Sequence, residues 1–181
     1  MRNADWPLSK IDVMENIIEK IKELKFSNEW SYDLLLEVRD KVGQILANVD
    51  SEGDVIDKLP KRIRIAYRLE EFQGAIFCDG FFSIFYNYGY REIMRFRAML
   101  EEIGECKLLS CFDQGLQLFK SKFTWEDETT NFVCQVHESP YDYFGMEIAN
   151  QFNDMGEEIF AIFDEEGCVE KLSAIWNSDE E

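Results

Sequence analysis

Carboxylates are the side chains with which this chain is best equipped to do chemistry. Asp and Glu number 37 against 19 Lys and Arg, a formal charge of −18, with a single histidine. Their placement is uneven. Residues 1–60 carry a net −5, residues 61–123 a net +2, and residues 124–181 a net −15, with Lys171 as the only base of that last third. So many carboxylates single out no acid/base couple, because general acid–base catalysis needs one group of tuned proton affinity beside the reacting atom. A dense field of one sign instead attracts and selects a basic partner. It disfavours nucleic acid as a direct ligand, since phosphates are bound by clustered Lys and Arg.

Other chemistry finds little support. The chain holds no G-x-G-x-x-G, Walker A, H-E-x-x-H or G-x-S-x-G pattern. His137 follows Cys134 at a C-x-x-H spacing, but two ligands do not make a zinc site. The five cysteines, Cys78, Cys106, Cys111, Cys134 and Cys168, are odd in number and lack a C-x-x-C, so they read as buried small hydrophobes of a reducing compartment. No metal, cofactor or enzymatic activity is expected. An enzyme would need a deep pocket near Glu70, Glu71, Asp79 and Asn87.

Charges that act together must be fixed by a folded scaffold. With 181 residues, 46% hydrophobic, including 15 Phe, seven Tyr and four Trp, the chain suits one domain with an aromatic interior. Met1 to Pro7 hold no signal-peptide core and no stretch reaches the roughly 18 apolar residues of a membrane span, so the expectation is cytoplasmic, without a membrane role.

Hydrophobic periodicity predicts an all-α domain over 1–181 with about seven to nine helices: a helical pair in 1–50, a core in 60–120 and an acidic part in 121–181. Ser9 reads as an N-cap with Asp12 three residues on, followed by Ile11, Met14, Ile18, Ile21 and Leu24 on one face. A second helix starts at Ser27 or Ser31 and aligns Leu34, Val38, Val42, Ile45 and Val49. The stretch from Ser51 to Asp54 reads as a break. Pro60 suits the first turn of a helix to about Phe77, and Asp79-Gly80 a turn. A short aromatic helix from Phe81 to Tyr88 follows, with Gly89 as its C-cap. Further helices run from Tyr90 to Ile103, ended by Gly104, and from about Lys107 to Phe119. Residues 131–137 alternate as a short strand or a tucked loop would. The end returns to helix from about Asp154 to Phe163, turns near Gly167, and finishes with Val169 to Trp176.

On the helix from Asp154, steps of 100° gather Met155, Ile159, Ile162 and Phe163 on one side and Asp154, Glu157, Glu158 and Glu165 on the other. Asp154 to Glu165 spans about 16 Å, whereas B-DNA carries one charge per roughly 1.7 Å counting both strands. That helix alone is too sparse to imitate a duplex. Glu126, Asp127, Glu128, Glu138 and Asp142, or a second subunit, would have to contribute. Like charges at i,i+4 each cost a helix about 0.2–0.5 kcal/mol, which hints at charge kept for a purpose, the plain alternative being a solvated acidic face.

The most specific string runs from Cys78 to Gly89. It resembles the signature of a family of acidic all-helical bacterial proteins, the DNA-mimic protein family, which reads approximately N-G-G-F-x-Q-F-F-x-N-x-x-G after a helix bearing a Glu. Gly80, Phe81, Phe85, Asn87 and Gly89 match, and Glu70 or Glu71 supplies the preceding acid. The family's following x-x-I-G element resembles Glu101 to Gly104, and its C-terminal helix pair resembles Asp154 to Trp176. The likeness covers 60–120 well and 154–176 loosely, leaving 1–50 and 121–150 outside. Cys78, Asp79 and Ser83 depart from the pattern. By their chemistry the signature residues serve packing, with glycines bounding an aromatic run.

The resemblance implies a non-enzymatic helical protein, often a homodimer, whose carboxylates imitate DNA phosphates on the binding face of a transcription regulator. The corresponding expectation is an acidic binding module for a basic DNA-binding protein. The alternative is an immunity-type protein neutralising a basic nuclease toxin, which shared electrostatics do not separate.

Overall fold

The computed structural model describes residues 10–50, 52–121 and 145–178. Ser9, the 131–137 segment with Cys134 and His137, and the acids Glu126, Asp127, Glu128, Glu138 and Asp142 lie outside the described residues. Those described form nine helices and no strand, so the chain is all-α. In order they are α1 (Lys10–Lys22), α2 (Tyr32–Leu46), α3 (Glu52–Ile56), α4 (Lys61–Asp79), α5 (Phe82–Asn87), α6 (Tyr90–Ile103), α7 (Cys106–Lys120), α8 (Met146–Phe163) and α9 (Glu166–Trp176).

Capping decides several boundaries. Ser31, not Ser27, starts α2: its side-chain oxygen accepts from the Leu34 N–H at 3.2 Å. The Pro60 carbonyl accepts from Ile63 and Arg64, opening α4 where proline needs no donor of its own. Gly80 ends α4 at φ 79°, ψ 166°, a conformation closed to residues with a Cβ, and its N–H donates to the Ile76 carbonyl at 2.8 Å. Gly104 closes α6 in the left-handed region.

Five features differ from the sequence expectation. Residues 52–56 are helical, because Glu52 and Asp54 suit a first turn and Val55 and Ile56 are buried; five residues are too few to display a period. Gly89 has φ −67° and stands at the N-cap of α6, while extended Tyr88 ends α5, so Gly89 is not a left-handed C-cap. Helix α8 begins at Met146, two turns before Asp154, since Ala149 and Phe152 are buried among polar neighbours that mask their spacing. The last turn lies at Asp164 and Glu165, with Gly167 inside α9. Of the α1 face, Ile18 and Ile21 are buried but Ile11 is exposed.

Helix α4 is the central element, packed against α2, α5, α6 and α9, while α7 lies between α6 and α8. Short α5 plugs the junction with α7 and α8. The Phe85 ring lies 5.1 Å from Phe81, 5.4 Å from Phe112, 5.8 Å from Phe119 and 6.0 Å from Phe152. Phe72 extends the cluster to Phe96, Phe112 and Phe163. Each buried Phe contributes about 1.5–3 kcal/mol, and well-placed ring pairs about 0.5–1.5 kcal/mol more. The signature residues sit here: Phe81 and Phe85 are buried, and the Ser83 hydroxyl donates to the Ala75 carbonyl at 3.2 Å. Asn87 is exposed at the end of α5. No described helix is long and apolar enough to cross a membrane.

Candidate functional site

Two charged surfaces stand out, and they differ in how their charges are satisfied. The first is the outer face of α8. Its inner side buries Ala149, Phe152, Gly156, Ile159, Ile162 and Phe163, which fixes the rotation of the helix. Asp154, Glu157 and Glu158 therefore face solvent, and no Lys or Arg of the described residues forms an ion pair with them. The longer α8 adds exposed Glu147, two turns ahead of Asp154, and α9 adds exposed Glu166 and Glu170. Sequence reasoning misses Glu147 because it starts the helix at Asp154, and it does not single out Glu166 and Glu170, whose exposure depends on how α9 packs.

Glu165 does not belong to this face. Its carboxylate accepts from the Lys107 ammonium at 2.9 and 3.0 Å, tying the α8–α9 turn to the start of α7. Lys171 likewise donates to Glu105 at 2.5 Å and to the Gly104 carbonyl at 3.1 Å. Lys171 and the Lys107 N–H hold the Glu105 carboxyl below its usual range. The Trp176 indole N–H donates to the Ser27 carbonyl at 2.9 Å, under the Arg62 guanidinium. The acidic helices are thus clamped to the scaffold at both ends of α9.

The second surface absorbs the basic residues of the middle third. Arg68 on α4 is 2% exposed and donates to Asp57 at 3.0 Å, Glu92 at 3.2 Å and the Gly53 carbonyl at 3.3 Å. Arg95 on α6 meets the same Asp57 and Glu92, and Asp54 at 2.5 Å. Arg64 pairs with Glu102 at 2.6 Å. Within the run from Lys61 to Arg68, Arg64 and Arg68 neutralise local acids, while Arg62 lies over the Trp176 ring. This network sets arginines of the middle third against acids of the first and middle thirds and supplies no base to Asp154, Glu157 or Glu158.

Among the described residues, the four groups that an enzyme would require are not gathered in the concavities beside Tyr32 or Arg68. Glu70 pairs with Arg39 at 3.4 Å, and Asp79 and Asn87 are exposed. None of the four lines the 60 Å³ cavity under Tyr32 and Asp164 or the larger cleft beside Arg68. No group of three or more His, Cys, Asp or Glu among the described residues is arranged to hold a metal ion. Burial pushes the thiols of Cys111 and Cys168 up to about 11, which fits inert packing groups, whereas Cys78 and Cys106 are exposed, against the expectation that all are buried.

Glu71, like its neighbour Glu70, is an acid whose position costs stability. Burial raises its carboxyl above the ordinary value, and Arg39 and Arg68 offset this only in part. A carboxyl raised in the folded state is a drain when ionised at neutral pH, relieved as pH falls toward the ordinary carboxylate value. Glu71→Gln is expected to raise the Tm at pH 7 and to flatten its rise on mild acidification, as thermal melts from pH 7 to 5 would read.

Comparison with known proteins agrees with the geometry. None of the curated proteins and none of the solved structures matches the chain. The family model described as DMP19-like protein matches residues 57–177, well over half the chain. The match runs from the α3–α4 junction to the end of α9. It includes residues 121–150, which the signature resemblance had left outside, and omits the N-terminal helical pair. By that match over more than half of its length, the chain belongs to the DMP19-like protein family.

Proposed function

We propose that this protein is a DNA mimic: a non-enzymatic acidic module that occupies the DNA-binding surface of a basic protein such as a transcription regulator. The observation that carries the reading is the contrast between charges. The middle third pairs five of its six arginines with acids, whereas Glu147, Asp154, Glu157 and Glu158 on α8 stay exposed and form no ion pair with the described bases. Membership of a family named for DNA mimic protein 19 supports the same assignment.

The charge density indicates how much surface is needed. Glu147 to Glu158 spans about 16 Å at 1.5 Å per residue. Four carboxylates over that length give about one per 5 Å, against one per 3.4 Å for a single DNA strand. One helix falls short of one strand, so Glu166 and Glu170 on α9, the acids of 126–142 or a second copy of the chain complete the footprint. Such a partner is held mainly by charge, and its affinity falls with ionic strength.

Neutralising α8 tests this. The triple variant Asp154→Asn, Glu157→Gln, Glu158→Gln is expected to bind the basic partner about tenfold more weakly at low salt, since each rim charge contributes a few tenths of a kcal/mol or more. Its Tm should stay equal or rise slightly, because the like pair at 154 and 158 is removed. The partner is obtained by capture on immobilised protein at low salt and elution as salt rises. Salt-insensitive binding, or no binding to any basic DNA-binding protein, would overturn the assignment.

A further inference from the structure

We infer that the cleft between α4 and α6 is a binding site for a small oxyanion ligand, a phosphate- or carboxylate-bearing molecule. The cleft holds about 420 Å³ and is lined by four arginines, Arg64, Arg68, Arg91 and Arg95, with Asp57 and Glu102. That volume lies in the range of small-molecule sites. Along α6 the arginines at 91 and 95 alternate with Met94, Ala98 and Met99 on one helical face, so the wall is part cationic and part apolar. Four guanidiniums in one cleft are notable in a chain with 19 bases in all.

The distribution of donors identifies the ligand chemistry. Arg95 is fully engaged, with Nε on Asp57, Nη1 on Glu92 and Nη2 on Asp54. Arg68 uses both terminal nitrogens on Glu92, Asp57 and the Gly53 carbonyl, yet its buried Nε has no hydrogen-bond partner. A buried donor left unpaired costs stability, and such groups are rare in folded proteins. Arg91 makes a single long contact, 3.4 Å to Asp54, and its side chain is 58% exposed. Arg64 spends its terminal nitrogens on Glu102 and the Asp57 carbonyl. The cleft wall thus carries four guanidiniums beside Asp57 and Glu102, with Asp54 and Glu92 also bound to them, Arg68 being buried and Arg91 exposed. A planar fork of N–H donors matches oxyanions better than any other common ligand group.

This site lies among the paired charges and does not depend on the acidic face of α8. The test is thermal unfolding of the full chain with inorganic phosphate or succinate as probes, against chloride at matched ionic strength. Either probe should raise the Tm saturably, by about 3–6 °C at ten times its dissociation constant, and the effective one identifies the group. Arg91→Gln should fold normally, because it loses one long surface contact, and should weaken the response at least tenfold in probe concentration. Lys107→Gln, remote from the cleft, should leave the response unchanged. No saturable shift with either probe, or an equal shift in Arg91→Gln, would overturn the site.

Discussion

Replacing Arg68 by leucine is expected to destabilise the fold by about 3 kcal/mol, lowering the Tm by roughly 6–12 °C. Arg68 joins three elements: it projects from α4, donates to Asp57 beyond α3 and to Glu92 on α6, and satisfies the Gly53 carbonyl within α3. Removing one member of a buried ion network leaves partners without compensation, and that penalty, more than any net gain from the pair, sets the size of the effect. The loss stays at the low end of the usual range because Arg95 still contacts both carboxylates. Arg68→Lys should recover only part of it, since an ammonium cannot hold three acceptors in the plane of a guanidinium fork. Urea unfolding of the two variants reads both numbers. A loss below 0.5 kcal/mol for leucine would mean, as an order-of-magnitude bound, that the network is a solvated surface feature.

The same substitution, glycine to alanine, is expected to change sign between α2 and α7. A Cβ on Gly115 would stand 2.6 Å from Cε1 of Phe81 and 3.1 Å from Cε2 of Phe85. These rings cannot step aside, because Phe112 and Phe152 flank both of them. Overpacking of this kind costs about 1–3 kcal/mol, more than the helix propensity alanine gains, about 0.8–1 kcal/mol. Gly115→Ala should therefore destabilise by up to about 2 kcal/mol after that offset. At Gly43 the nearest foreign atom is the Tyr67 hydroxyl at 3.9 Å, an ordinary contact. Gly43→Ala should stabilise by about 0.4–1 kcal/mol. Paired melts decide it: equal shifts at the two positions would show that α5 does not pack tightly on α7.

Periodic elements with a cap were readable from the chain. Ser31 with Leu34, Val38 and Val42, and Tyr90 to Ile103 before Gly104, carry both a period and a terminus in their residue types. Where either signal failed, so did the boundary. Helix α3 is too short to show a period, and the first two turns of α8 hide Ala149 and Phe152 among Asn150, Gln151 and Asn153. Glu165 illustrates a different limit. Its helical angle placed it with Asp154 and Glu158, but its partner Lys107 lies 58 residues away, and no local pattern encodes that contact. The arginine network is non-local for the same reason, since Arg68, Asp57 and Glu92 become neighbours only when α3, α4 and α6 pack. What composition did convey was the imbalance itself, a net −15 over residues 124–181.

The most direct test of the DNA-mimic assignment is competition. The basic protein captured at low salt is titrated with labelled duplex DNA in the presence of increasing amounts of this chain, and the bound species are resolved by size. Mutually exclusive binding is predicted, with the chain displacing the duplex and the α8 triple variant needing about ten times the concentration to do so. A stable ternary complex of partner, duplex and this chain would contradict it.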